Sequence, residues 1–149
     1  MKPRTAGFTL VELVAIISIL GILMAVAAPR FFSANTFAGR GFRDDAASFL
    51  RYAQKRAISR RGDVAVVVEA SGLTLCTTAG AACAAANQLA GPDGQTPFQS
   101  LTPNGVTLSG SRTSVLFDAQ GRPDAALTLT ITGDSARTLT VEAETGYVH

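Results

Sequence analysis

The chain has 149 residues, 47% hydrophobic and 16% charged, with a formal net charge of +2 and no tryptophan. That length allows one domain once the apolar N-terminal stretch is set aside. The charge is split, with eight basic residues against Asp44 and Asp45 in Arg30–Arg61 and three basic against eight acidic in Gly62–His149, so nothing in it argues for a broadly basic nucleic-acid binder.

The first element follows a short leader, M-K-P-R-T-A-G, that carries Lys2 and Arg4. Phe8–Ala28 is then almost wholly apolar. As a helix it is about 31 Å long, enough to span a hydrocarbon core. Lys2 and Arg4 favour a cytoplasmic N-terminus and an exported remainder, and Arg30 argues weakly the other way. One carboxylate, Glu12, interrupts the run. A charge at a helix centre costs about 2.5–3.5 kcal/mol on insertion scales, so Glu12 suggests more than an anchor. A secretory signal peptide, supported by the small residues Ala25–Ala28, and a plain anchor stay open as alternatives.

Helical spacing continues beyond Pro29. Phe42, Ala46, Phe49, Leu50, Ala53 and Ala57 share a sector of about 100°. Arg40, Arg43, Arg51 and Lys55 lie opposite. One helix is predicted to about Ser59, bending near Gly21 or Pro29. A second irregularity is expected at Gly39 and Gly41, and Arg60-Arg61-Gly62 ends the helix with a glycine stop. The basic face has three readings: a surface facing solvent or the acidic heads of neighbours, a contact with anionic lipid headgroups, or a contact with DNA phosphates along Arg40, Arg43, Arg51, Lys55, Arg60 and Arg61.

After Gly62 the pattern turns to alternation and β-branching. Val64–Glu69 and Leu73–Thr77 predict a hairpin around Ala70-Ser71-Gly72. Cys76 and Cys83 flank T-T-A-G-A-A. A disulfide is expected outside the cytosol, and two free thiols inside it. Ala79–Pro103 is expected to be a long loop. Val106–Ser109, Ser114–Phe117, Ala126–Thr132 and Thr138–Ala143 predict strands, with a short terminal strand at Tyr147–Val148. Asp118–Pro123 and Gly133-Asp134-Ser135 predict turns. Leu127, Leu129 and Ile131 alternate with threonines, so one face is expected to be buried. The fold class is α+β: a long N-terminal helix on an antiparallel sheet.

Gly7-Phe8-Thr9-Leu10-Val11-Glu12-Leu13, between a basic leader and an apolar run, resembles the type III signal of type IV pilins and pseudopilins. The resemblance implies cleavage between Gly7 and Phe8 by the prepilin peptidase, which also N-methylates Phe8. Glu12 becomes the fifth mature residue, the family's assembly glutamate, and Pro29 falls where many pilins bend. The implied organisation is a removed leader (1–7), a transmembrane and filament-core helix (8–28), an amphipathic continuation (29–61) and a periplasmic β-rich head (62–149). The implied partners are other pilins and pseudopilins, the peptidase and the inner-membrane assembly platform. The implied location is the bacterial inner membrane, single-pass with the N-terminus cytoplasmic, and then a filament. Phe117–Pro123 and Thr145–His149 look like the subgroup of the type II secretion H pseudopilin and the FimT minor pilin. Pro29–Ile58 looks most like the C-type minor pilin of mannose-sensitive haemagglutinin (MSHA) pili. Members that take up DNA carry arginine near the C-terminus, and Thr145–His149 has none.

No G-x-S-x-G, phosphate loop or Cys–His pairing points to an enzyme. Asp44 and Asp45 point about 100° apart on a helix and are expected to pair with Arg40, Arg51 or Arg56. Arg122, in a turn, is expected to be exposed. No cofactor or metal is expected, His149 being the only histidine. The reading is a structural minor pilin or pseudopilin, of an MSHA-type pilus or a type II secretion pseudopilus, that primes assembly or sits near the tip. A DNA-binding pilin for transformation and an anchored or secreted domain are the alternatives.

Overall fold

The computed structural model describes residues 9–31 and 34–149. It divides into two compact units, one ending at Ala34 and the other spanning Asn35–His149. The first contains helix α1 (Leu10–Phe31). Helix α2 (Ala34–Arg60) begins at the boundary and belongs to the second. Residues 32 and 33 lie outside the described residues.

All six residues of the predicted apolar face of α2 are buried, joined by Ala47. They share one core with Val64, Val66 and Val68, with Leu73 and Leu75, and with Leu127, Leu129 and Ile131. The helix is small there (Ala46, Ala53, Ala57), which lets the backbones approach, while Phe49 reaches out to stack on Phe98 at 4.7 Å. Tyr52 meets the same ring edge-on at 5.1 Å.

The strands form two antiparallel sheets rather than one. β1 (Val64–Glu69) and β2 (Gly72–Cys76) make the predicted hairpin. They lie between β3 (Gln99–Leu101) and β5 (Ser114–Phe117), in the order β3-β2-β1-β5. β4 (Thr107–Gly110), β6 (Leu127–Thr132) and β7 (Ala136–Val141) form the second sheet in the order β4-β6-β7. β6 buries alternate residues as its sequence predicts. β1 does not alternate: Val64–Val68 are all buried, because both faces are covered. Val64, Val66 and Val68 face the main core, whereas Ala65 and Val67 pack with Cys76, Cys83 and Leu116.

Several sequence expectations need correction. The stretch 79–103 is not wholly loop: it holds β3 and a 3-10 turn at Ala85–Asn87. Tyr147–Val148 is not a strand of its own. Val148 makes a single bridge to Val141, and His149 exchanges two backbone hydrogen bonds with Thr140. Gly39 and Gly41 interrupt nothing, and α2 runs through both. A Cβ on Gly39 would sit 3.3 Å from Arg137 Nη1 and 3.8 Å from the Gly133 Cα, so this glycine admits the β6–β7 turn against the helix. The helix runs to Arg60, one residue past the expected end, and its stop residue is Arg61 rather than Gly62. Arg61, with φ 52°, takes the left-handed position usually filled by glycine. Its N–H donates to the Ile58 carbonyl and that of Gly62 to Ala57, the bonding of a Schellman motif.

Candidate functional site

The start of α1 is set by Thr9. Its hydroxyl accepts a hydrogen bond from the Glu12 N–H at 3.2 Å, and its carbonyl accepts one from the Leu13 N–H at 3.1 Å. Thr9 and Glu12 occupy the Ncap and N3 positions of a capping-box sequence, T-L-V-E. Glu12 also lies in the first turn, where the helix dipole favours an anion. From Leu10 to Val26 every side chain of α1 is exposed, including Leu10 at 78% and Met24 at 70%. None of these apolar side chains is buried. Gly21 and Pro29 lie within α1, and open space surrounds the position of a Cβ on Gly21. Gly7 and Phe8 lie outside the described residues. Among the described residues no helix is long and apolar enough to cross a membrane.

The basic residues of α2 are not one uniform face. Arg43 turns onto the head, where its Nε donates to the Thr138 carbonyl at 3.3 Å and its Nη1 meets Asp44 at 3.4 Å. Arg51 remains exposed but donates from Nη2 to the Val148 carbonyl at 3.0 Å. Arg43 therefore helps to hold β7, and Arg51 the C-terminal segment beside it. Arg40, Lys55, Arg56, Arg60 and Arg61 are exposed and make no ion pair among the described residues. Arg122 is exposed as expected.

The two aspartates take other partners than those expected. Asp44 pairs with Arg43, and Asp45 accepts a short hydrogen bond from the Ser100 hydroxyl. Asp45 thereby ties α2 to β3, the strand that was hidden in the predicted loop. Gln54 makes a similar tie on the other side, donating from Nε2 to the carbonyls of Gly121 (2.9 Å) and Thr145 (3.1 Å). Thr9, Gln54 and Ser100 are the positions that sequence reasoning missed. Only Thr9 carried a local signal, the T-x-x-E spacing. The other two depend on tertiary proximity, 67 residues apart for Gln54–Gly121 and 55 for Asp45–Ser100.

Cys76 and Cys83 form a disulfide with Cα atoms 6.1 Å apart. Its two cysteines pack with Ala65, Val67 and Leu116, so the bond fastens the back of the first sheet. No group of three or more His, Cys, Asp or Glu that could hold a metal occurs among the described residues.

An exposed apolar helix capped by Thr9, followed by a helix-backed β head, is the arrangement that comparison with known proteins resolves. The family described as type II transport protein GspH matches residues 44–146, more than half of the chain. The chain belongs to the GspH family. The GspH-type head is preceded by a match to the prokaryotic N-terminal methylation motif over residues 2–28. Two crystal forms of the type IV minor pilin FimU of Pseudomonas aeruginosa (strain PAO1) share the fold. The P21 form has a TM-score of 0.59 at 17% identity and covers 79% of this chain and 90% of its own. The P65 form has a TM-score of 0.56 at 17% identity and covers 74% and 90%. No curated protein matches the chain. This GspH-family chain is thus a type IV pilin-like protein, with a prepilin-type methylation motif ahead of a head that shares the fold of a type IV minor pilin.

Proposed function

We propose that the chain is a non-catalytic minor subunit of a type IV pilus or type II secretion pseudopilus, held in the inner membrane with its head in the periplasm until it enters the filament. The observation that carries this reading is the run of exposed apolar side chains from Leu10 to Val26 in α1, ahead of a head with its own closed core. Such a surface needs lipid or other helices to cover it, and a filament core supplies the latter. Processing between Gly7 and Phe8 and N-methylation of Phe8 would leave Glu12 as the fifth residue of the mature chain. Its carboxylate then pairs with the terminal amine of an adjacent subunit, which removes two otherwise unpaired charges from an apolar bundle. A bend at Gly21 or Pro29 would adapt the helix to that bundle.

Glu12→Gln tests the pairing. Glutamine keeps capping ability at N3 and loses the charge. We expect normal processing and reduced recovery in sheared filaments for both Glu12→Gln and Glu12→Ala. Normal recovery of Glu12→Gln would contradict the pairing. Priming or tip-proximal placement suits a subunit of this group. The choice between an MSHA-type pilus and a secretion pseudopilus is testable by which neighbouring subunits co-purify. DNA uptake is the less favoured reading, since Arg43 and Arg51 are engaged with head carbonyls and the C-terminal residues 145–149 carry no arginine.

A further inference from the structure

We propose that the C-terminal end of α2 is a docking surface for the carboxylate-rich head of an adjacent filament subunit, an inference that rests on the filament reading above. Arg51, Lys55, Arg56, Arg60 and Arg61 fall within eleven consecutive residues that contain no acid. All five are exposed, and none forms an ion pair among the described residues. The fold accepts three local costs to place them there. Arg51 and Lys55, and Arg56 and Arg60, are like charges at i,i+4, which weaken a helix. Arg61 occupies a left-handed position although a glycine follows it directly. Arg51 is already held by the Val148 carbonyl, whereas Lys55, Arg56, Arg60 and Arg61 keep exposed charges without an ion pair among the described residues, and like charges gathered at one surface in this way point to a partner outside the chain.

The complement is visible in the chain itself. Residues 62–149 hold eight acids against three bases. Asp93 and Glu144 are exposed there without an ion pair among the described residues. A neighbour with the same division of charge presents an acidic head to this basic end, and arginine meets carboxylate in a directional, two-bond geometry.

Lys55 is the only lysine beyond the leader, which makes zero-length carbodiimide coupling a specific probe. Intact sheared filaments are treated, digested and analysed by mass spectrometry. The expected product is an amide between Lys55 and an Asp or Glu of an adjacent subunit, lost in Lys55→Arg, which keeps the charge but does not couple. If the chain is absent from the filaments, the filament reading fails and this inference with it. If the chain is present and Lys55 forms no inter-subunit amide, this inference alone fails. Salt-sensitive binding of a duplex DNA oligonucleotide or of phosphatidylglycerol vesicles by the detergent-solubilised full chain, abolished in Arg56→Glu/Arg60→Glu, would reassign the surface to phosphates and overturn it.

Discussion

Arg61 and Gly146 both hold left-handed backbone, with φ 52° and 68°, and differ in what a side chain meets there. Arg61 is exposed, so its side chain is tolerated at the conformational cost of an L-residue, roughly 1 kcal/mol. Arg61→Gly is expected to raise unfolding stability by about 0.5 kcal/mol, the gain being offset in part by glycine's greater chain entropy. Gly146 is enclosed: a Cβ would lie 2.5 Å from Gln54 Nε2 and 2.8 Å from the Gly121 carbonyl oxygen. Gly146→Ala is expected to cost about 1–3 kcal/mol and to break the Gln54 tie. Urea titrations of the detergent-solubilised chain check both, and a neutral Gly146→Ala would contradict the packing described. At this scale the sequence was a partial guide. It placed the helix stop within one residue, because Arg-Arg-Gly marks an end. It could not say that the arginine, not the glycine, takes the strained turn, which depends on the Ile58 and Ala57 carbonyls.

α2 was the most legible element, because its buried residues repeat with the helical period and one face alone meets the head. Leu50 is fully buried in that face, and Leu50→Ala is expected to cost about 2–5 kcal/mol, against less than about 0.5 kcal/mol for exposed Lys55→Ala. β6 was legible for the matching reason, one face wet and one dry. β1 was not, since the cysteines of the disulfide loop pack on its back and erase the alternation. That loop has its own test. Replacing both Cys76 and Cys83 by alanine removes a cross-link with sequence separation 7, worth about 2.5 kcal/mol on the chain-entropy scale. The thermal midpoint should fall with the α2 contacts intact, and an unchanged midpoint would show that packing alone holds the loop. β3 escaped notice because Gln99-Ser100-Leu101 is short and mixed, and its place is fixed by β2 and by Asp45.

The chain carries a helix whose apolar side chains from Leu10 to Val26 are all exposed and a head that has buried its own core. The N-terminal signature made the class of machine legible, since G-F-T-L-V-E-L lies within a match to the N-terminal methylation motif. Which filament the chain serves was not legible, because partner choice resides in surface side chains that no local pattern constrains. The measurement that bears most directly on the filament reading is mass spectrometry of the N-terminal peptide of the chain recovered from sheared filaments. The account predicts a peptide that begins with N-methylated Phe8, and a terminus near Ala28, or an intact Met1, would contradict it.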